Sequence, residues 1–299
     1  MTFRSYAQNF EDVILWRALK DVDKGFYIDI GANDPVIDSV SLAFYERGWR
    51  GIHVEPLRAL AEKLRVARPD EKVIEAAVAD KAGEITLFDI EGGGLTTGNE
   101  EHARRHAEVG FESKKITVKA RTLASILPDA NDREIQWMKI DVEGMEGEVL
   151  ASWGREKARP WILVIESTLP NTQIEDFERW EPEVLDRGYK FVYYDGLNRF
   201  YAHEDHRDLC PTFGPGPNCF DCFTLTEHSL FVGDLNERHS LFVGDLNERM
   251  ARALANEATL RHLNRALEEQ LHEVRHSTSW RMTAPLRHLK KFGQWWSTP

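Results

Sequence analysis

Residues 26–35 read FYIDIGANDP, and residues 51–56 read GIHVEP. Each is a short apolar run that meets an acidic residue at or near its end, Asp29 in the first and Glu55 in the second, and Gly31 follows Asp29 by two positions. Short apolar and β-branched runs that stop at turn residues are the pattern of strands buried on both faces, which occur in parallel sheets covered by helices. Working outward, the same pattern predicts strands at 25–30, 51–54, 72–77, 84–89, 137–140, 161–165 and 190–194. Amphipathic stretches at 10–19, 40–47, 57–67 and 146–153 read as helices between them. This alternation predicts an α/β, Rossmann-like domain with a largely parallel seven-stranded sheet.

In such a sheet, ligands bind outside the carboxyl ends of the strands, where strand order reverses. Asp29 and Gly31 sit at one such end, and glycine there lets the backbone approach a ligand closely. Asn33 can hydrogen-bond the ligand across the same turn, and Glu55 can accept both hydroxyl protons of a ribose. The residues after Gly31 lack the G-x-G-x-x-G series that cradles a pyrophosphate, which favours a nucleoside without one, S-adenosylmethionine, over a nicotinamide cofactor. Asp80, after the EAAV run at 75–78, is placed either against the adenine edge or at the start of the DKAGE turn.

Further carboxylates fall at strand ends: Asp141 and Glu143 in MKIDVEGMEGEV (138–149), and Glu166 in LVIESTLP (163–170). Methyl transfer to a hydroxyl requires alignment of oxygen, methyl carbon and sulfur, with removal of the hydroxyl proton. Either a carboxylate accepts that proton, or Asp141 and Glu166 share a divalent ion that acidifies the hydroxyl. Gly144 allows a tight turn that holds Glu143 over the pocket, and Glu146 reads as a charge in the first turn of the next helix.

With these motifs in order, residues 4–226 resemble the FkbM family of methyltransferases. The matching stretches are SYAQNFEDVIL (5–15), IDIGAND (28–34), DSVSLAFYERGWRGIHVEP (38–56), KIDVEGMEGEVL (139–150), IES (165–167) and GYKFVYYDGLNRFYAHEDH (188–206). The resemblance implies a class I fold, S-adenosylmethionine as donor, and O-methylation of sugars or related natural-product hydroxyls. It carries the cofactor motif onto Asp29, Gly31, Asn33 and Glu55, and the acidic motif onto Asp141, Glu143 and Gly144. Two family-like blocks outside the cofactor core contribute Tyr6, Gln8, Asn9, Glu11, Asp12, Asp195, Asn198, Arg199 and Tyr201. These residues form either a polar acceptor wall or a brace for the fold, with Asp195 and Gly196 as a turn between two strands. Cys210, Cys219 and Cys222 depart from the family pattern, and with His203 and His206 they offer enough groups for four zinc ligands. Their C-x-x-C spacing suggests zinc, but it is imperfect, and small core substitutions explain the cysteines as well.

The 299 residues, 42% of them hydrophobic, suffice for one large α/β domain plus an appendage. A net charge of −12 disfavours nucleic acid as a partner. Residues 276–299 carry +4 through Arg281, Arg287, Lys290 and Lys291, leaving −16 on the remainder. The first twelve residues hold Glu11 and Asp12 without an apolar core, and no apolar run reaches the roughly 20 residues that cross a bilayer, so the expected location is cytoplasmic.

The methyltransferase domain is expected over 1–226. Next comes a linker, 227–249, holding HSLFVGDLNER twice without change at 228–238 and 239–249. Residues 250–299 are expected as a coiled-coil helix and a basic, tryptophan-containing tail. The apolar seam runs through Leu246, Met250, Ala253, Leu260, Leu267, Leu271 and Val274 at spacings of three and four, skipping Glu257 and Asn264. It predicts a homo-oligomer through 246–274, with a helix packed on its own domain as the other reading. Residues 276–299 mix basic groups with Trp280, Trp295 and Trp296, which suits weak contact with the inner face of the membrane, with a solvated tail or a helix docked on a partner protein as the other readings. The string SWRMTAPLR is similar to tails of bacterial polysaccharide-assembling proteins. Together these readings point to methylation of a sugar on a surface polysaccharide or glycolipid. A catalytically dispensable scaffold in a glycan-assembly complex and a small-molecule natural-product methyltransferase are the alternatives.

Overall fold

The computed structural model describes residues 2–90, 96–98, 113–169 and 172–283. Residues 91–95 and 99–112, and the basic tail beyond 283, lie outside the described residues. The chain divides into two compact units, 1–233 and 234–299.

The first unit begins with β1 (Phe3–Ser5), α1 (Glu11–Leu19), β2 (Phe26–Ile30), α2 (Leu42–Tyr45), β3 (Arg50–Val54), α3 (Arg58–Ala67), β4 (Lys72–Ile74), β5 (Ala77–Val78) and β6 (Gly83–Ile90). It continues with β7 (Ser113–Arg121), α4 (Leu123–Ile126), β8 (Trp137–Ile140), α5 (Glu146–Ala151), β9 (Ile162–Glu166), α6 (Glu181–Asp186), β10 (Tyr189–Tyr194), β11 (Asn198–His203) and β12 (Phe223–Leu225). Seven strands form the main sheet in the order β10-β11-β9-β8-β2-β3-β4. All run parallel except β11, which is antiparallel to both neighbours. From β2 the chain builds outward through β3 and β4, then returns to add β8 on the other side. The β2/β8 boundary is therefore the point of reversal at which a ligand crevice opens.

The count of seven agrees with the sequence reading, but one member differs. Residues 84–89 belong to a separate three-stranded sheet of order β5-β7-β6, in which β6 pairs antiparallel with β7. The place in the main sheet is taken by β11, whose residues the sequence leaves open between a polar acceptor wall and a brace that follows the Asp195–Gly196 turn. The 72–77 strand is also broken, into β4 and β5.

Every residue of β2, β8 and β9 is buried, as apolar runs covered on both faces require. The period of two divides them between two cores. Ile28, Ile30, Met138, Ile140, Leu163 and Ile165 pack with Leu150 and Trp153 on one face. Tyr27, Trp137, Ile162 and Val164 pack with Leu15, Leu19 and Trp49 on the other. The same alternation sends Asp29 and Lys139 to the second face, which α1 covers through Leu15 and Leu19.

In the second unit, α7 (Gly233–His276) is followed by α8 (Thr278–Met282). Helix α7 starts inside the first copy of the 11-residue repeat, which the sequence reading left as linker. His228–Val232 is turn and 3-10 helix in the first copy, whereas the identical 239–243 is α-helical, so context rather than local sequence sets its conformation. The seam residues Leu246, Met250, Leu260, Leu267, Leu271 and Val274 are all exposed. Among the described residues, no helix is long and apolar enough to cross a membrane.

Candidate active site

The crevice begins at the carboxyl ends of β2 and β3. Gly31 has φ +82°, and a Cβ there would collide with the carbonyl oxygen of Asp141. Glycine is thus required by the approach of the β8 strand end, a reason distinct from room for the ligand. The backbone N–H groups of Gly31 and Ala32 both donate to the Val54 carbonyl, at 2.9 and 3.2 Å. That of Asn33 donates to Glu55 Oε2 at 2.9 Å, while Leu57 N–H donates to Glu55 Oε1 at 2.8 Å. Glu55 is therefore fixed by one donor on each oxygen. Burial pushes its carboxyl up to about 7 in spite of those bonds. Asp29, Gly31, Asn33 and Glu55 all line one cavity.

Asp80 does not reach that cavity. The third stretch lines it with Ala76, Ala77 and Val78, whereas Asp80 is exposed and lies 3.7 Å from Lys81 Nζ. The strand ends at Val78, and the turn reading of DKAGE is the one the backbone adopts.

The cavity extends to the end of β8. Asp141 N–H donates to the Ile30 carbonyl, and Asp141 Oδ2 accepts from Lys139 Nζ. Lys139 is 6% exposed and faces Asp29, Asp141 and Glu11. Burial alone would lower its affinity for a proton, but these carboxylates outweigh it and hold the ammonium well above the usual lysine range. Beyond Asp141 the chain turns through Glu143 (φ +53°) and Gly144 (φ +92°). Glu146 Oε1 ties this turn to α5 by accepting from the N–H groups of Val142 (3.2 Å) and Gly144 (3.1 Å). The Thr97 hydroxyl donates to the Glu143 carbonyl at 2.7 Å. Glu143 is pushed up to about 8 by burial, with the charges of Asp141 and Glu146 adding to it. Glu166, at the end of β9, is raised well above the usual carboxylate range by burial and by Asp141, Glu143 and Glu146. Oxygens of Asp141, Glu143 and Glu166 lie within 4.8 Å of one another, close enough to share one cation.

A family model described as the methyltransferase FkbM domain matches residues 29–191, more than half of the chain. The chain belongs to the FkbM methyltransferase family. Among solved structures it is similar to a TehB-like SAM-dependent methyltransferase from Corynebacterium glutamicum ATCC 13032, at 9% identity and TM-score 0.37 over 64% of this chain and 87% of that one. It is also similar to a precorrin-6y C5,15-methyltransferase from Geobacter metallireducens GS-15, at 15% identity and TM-score 0.34 over 64% and 86%. These likenesses are distant. No curated protein matches the chain in sequence.

A second pocket of this FkbM domain adjoins the first, lined by Gln8, Asp141, Glu143, Glu166, Thr172, Gln173 and Leu197. Gln8, Asp141 and Glu143 line both. Of the residues expected as acceptor wall, Gln8 lines this second pocket, Glu11 lines the first, and the others are engaged in hydrogen bonds within the fold. Tyr6 donates its hydroxyl to Glu46 at 2.9 Å. The Asn9 amide donates to the Asp195 carbonyl. Asp12 accepts from the Ser5 hydroxyl and from the N–H groups of Tyr6, Ala7 and Val13. Asp195 Oδ1 accepts from Leu197 and Asn198 N–H, closing the β10–β11 turn at Gly196. Buried Asn198 donates to Glu11 Oε1 at 3.0 Å. Arg199 pairs with Glu175 and Glu181, lies over Phe177 and Phe191, and donates to the Tyr201 hydroxyl. Thr172 and Gln173 carried no sequence signal; their place in the pocket follows from the fold alone.

The histidine and cysteine set is not gathered into a site. Among the described residues the acids and histidines or cysteines close enough to share a metal ion are Asp141, Glu143 and Glu166, while the His206 ring stacks on Trp161 at 4.1 Å and Cys219 and Cys222 are exposed. Residues 272–276 read HEVRH, a spacing that can bring two histidines to one metal, and the two rings stack at 4.0 Å. His276 Nδ1, however, bonds the His272 carbonyl oxygen, and no third ligand joins them among the described residues.

Proposed function

We propose that this chain is an S-adenosylmethionine-dependent O-methyltransferase that acts on a sugar hydroxyl of a bacterial surface polysaccharide or glycolipid. The observation that carries the reading is the pair of adjoining pockets sharing Gln8, Asp141 and Glu143, one fitted to the donor and the other to a hydroxyl-bearing acceptor.

The first pocket fits a sulfonium nucleoside and disfavours a dinucleotide. A pyrophosphate needs free backbone N–H groups at its glycine turn, and those of Gly31, Ala32 and Asn33 are all committed to Val54 and Glu55. The lining is also strongly acidic: Glu11, Asp29, Asp38, Glu55, Asp141 and Glu143 stand against Lys139. That balance repels phosphate and attracts a cation. Glu55, with one protein donor on each oxygen, keeps a lone pair on each for the two ribose hydroxyls. Bound there, S-adenosylmethionine supplies a methyl group that the acceptor oxygen takes while sulfur keeps the carbon–sulfur bonding pair. The chain's own part is to hold the acceptor with Gln8, Thr172 and Gln173 and to receive the hydroxyl proton on a carboxylate of Asp141, Glu143 or Glu166. The second pocket is lined by amide, hydroxyl and carboxylate groups, as a hydroxyl-rich acceptor requires.

The exposed seam of α7, with Asn264 among leucines at three- and four-residue spacings, supports assembly with a second copy of this chain. Placement at the inner face of the membrane belongs to the same reading. Incubation of purified full-length chain with methyl-labelled S-adenosylmethionine and a panel of glycan acceptors is the test. Label should pass to a sugar oxygen. Tight binding of S-adenosylhomocysteine together with transfer to a nitrogen or carbon acceptor, and to no hydroxyl, would overturn the reading.

A further inference from the structure

Glu166 is 8% exposed, yet its Oε2 is buried without a hydrogen-bond donor. A buried carboxylate oxygen left without a partner is costly unless a proton or a cation meets it. The surroundings worsen the balance, because Asp141 and Glu143 each bring an oxygen within 4.8 Å of a Glu166 oxygen. Lys139, which lines the adjoining pocket, already gives its ammonium to Asp141. Gln8, Thr172, Gln173 and Leu197, which complete the pocket, carry no charge. The ligand set is all oxygen, without thiolate or imidazole, and that selects hard divalent ions over zinc or copper.

We propose that Asp141, Glu143 and Glu166 bind one divalent cation of the magnesium or manganese type, and that its remaining positions are filled by water and by oxygens of the acceptor. The role assigned to the ion rests on the methyl-transfer reading above, whereas its binding does not. A hydroxyl coordinated to such an ion is more acidic than a free one. Because the ion leaves several positions for non-protein oxygens, the acceptor class it favours is a vicinal diol, which chelates through two adjacent oxygens. An acceptor with a single isolated hydroxyl gains less.

The test is titration of the full-length chain with Mn²⁺, read by the electron paramagnetic resonance of the free ion and competed with Mg²⁺. Calorimetry with S-adenosylhomocysteine is run on the same samples. One saturable site per chain, displaced by Mg²⁺, is expected. Glu166→Gln and Glu143→Gln should each weaken Mn²⁺ by at least about tenfold, and Glu166→Gln, which lines only the second pocket, should keep S-adenosylhomocysteine affinity within about threefold of wild type, which also shows that this variant is folded. Absence of saturable Mn²⁺ binding to the wild type, or wild-type affinity in both variants, would overturn the site. A chain that binds S-adenosylhomocysteine but no Mn²⁺ refutes the cation and spares the methyltransferase reading. One that binds Mn²⁺ but no S-adenosylhomocysteine does the reverse.

Discussion

Replacing Glu55 by glutamine tests the donor pocket most directly. The native carboxylate accepts Asn33 N–H on Oε2 and Leu57 N–H on Oε1, and offers one further lone pair on each oxygen. Glutamine has a single acceptor oxygen, so its NH₂ must face one of those backbone donors and one of the two ribose hydroxyls. Hydrogen bonds to a charged group contribute about 1.5–3 kcal/mol each. Losing one and weakening the other gives about 2–4 kcal/mol, or a dissociation constant for S-adenosylhomocysteine raised about 30- to 700-fold. The pH dependence gives a second, independent check. Burial raises the Glu55 carboxyl from its ordinary 4.5 to about 7 in the folded chain. A group with a raised folded value contributes stability that is present below its unfolded value and lost as pH rises through the folded one, so Glu55 costs stability between pH 4.5 and 7. Ribose binding needs the ionised form and should improve over the same interval. Stability and affinity attributable to this residue therefore move in opposite directions with pH. Calorimetry with S-adenosylhomocysteine and urea unfolding, each at pH 6 and pH 8, measure the two. In Glu55→Gln the pH slopes belonging to this residue should vanish. Binding by the variant within about threefold of wild type at pH 8 would refute the assignment of the ribose to Glu55.

Gly31→Ala should destabilise the domain by about 2–5 kcal/mol, since it adds a left-handed backbone cost to a collision with Asp141, and urea unfolding reads it. Lys139→Met leaves Asp29, Asp141 and Glu11 facing one another without their cation and should cost about 3–5 kcal/mol in the same assay; an unchanged midpoint would show that the lysine is not structural. Gln8→Ala should raise the acceptor KM by roughly tenfold with unfolding unchanged, whereas Arg199→Ala should lower the unfolding midpoint and leave KM alone. Leu267→Lys should convert the chain to a monomer in light scattering, and a wild type that is already monomeric defeats the seam as an interface.

That Asp29, Gly31 and Asn33 face one cavity was legible because the feature is local. Asp29, Gly31 and Asn33 lie within five residues of one strand end, and an apolar run that stops at a glycine declares both strand and turn. The reason for Gly31 was not legible, since the Asp141 carbonyl that excludes a side chain comes from 110 residues later. Lys139 was hidden inside WMKI, where one charge reads as an interruption. Only the register Asp29↔Lys139 shows that the period of two directs it at a line of carboxylates. Strand β11 was legible only as the second arm of the Asp195–Gly196 turn, because Asn198 and Arg199 also look like site residues. Both are buried, and their polar groups are consumed by Glu11, Asp195, Glu175 and Glu181. Sequence shows which polar groups are available, and the fold decides which of them it spends on itself.

That distinction explains what the two family-like blocks outside the cofactor core accomplish. Asp12, with four donors from residues 5–13, curls the N-terminal segment onto the start of α1. Glu11 then accepts from Asn198, and the Asn9 amide donates to the Asp195 carbonyl, so the segment is fastened to the β10–β11 turn. Between these two fastenings lies Gln8, whose neighbours on both sides are fixed while its own side chain lines the two pockets. The conformational cost of presenting one amide where the two pockets meet is thus met by buried hydrogen bonds elsewhere. On the proposed reading Asn9 and Asp195 act on the acceptor through Gln8, and substitutions at them should resemble loss of Gln8 only to the extent that they release this segment.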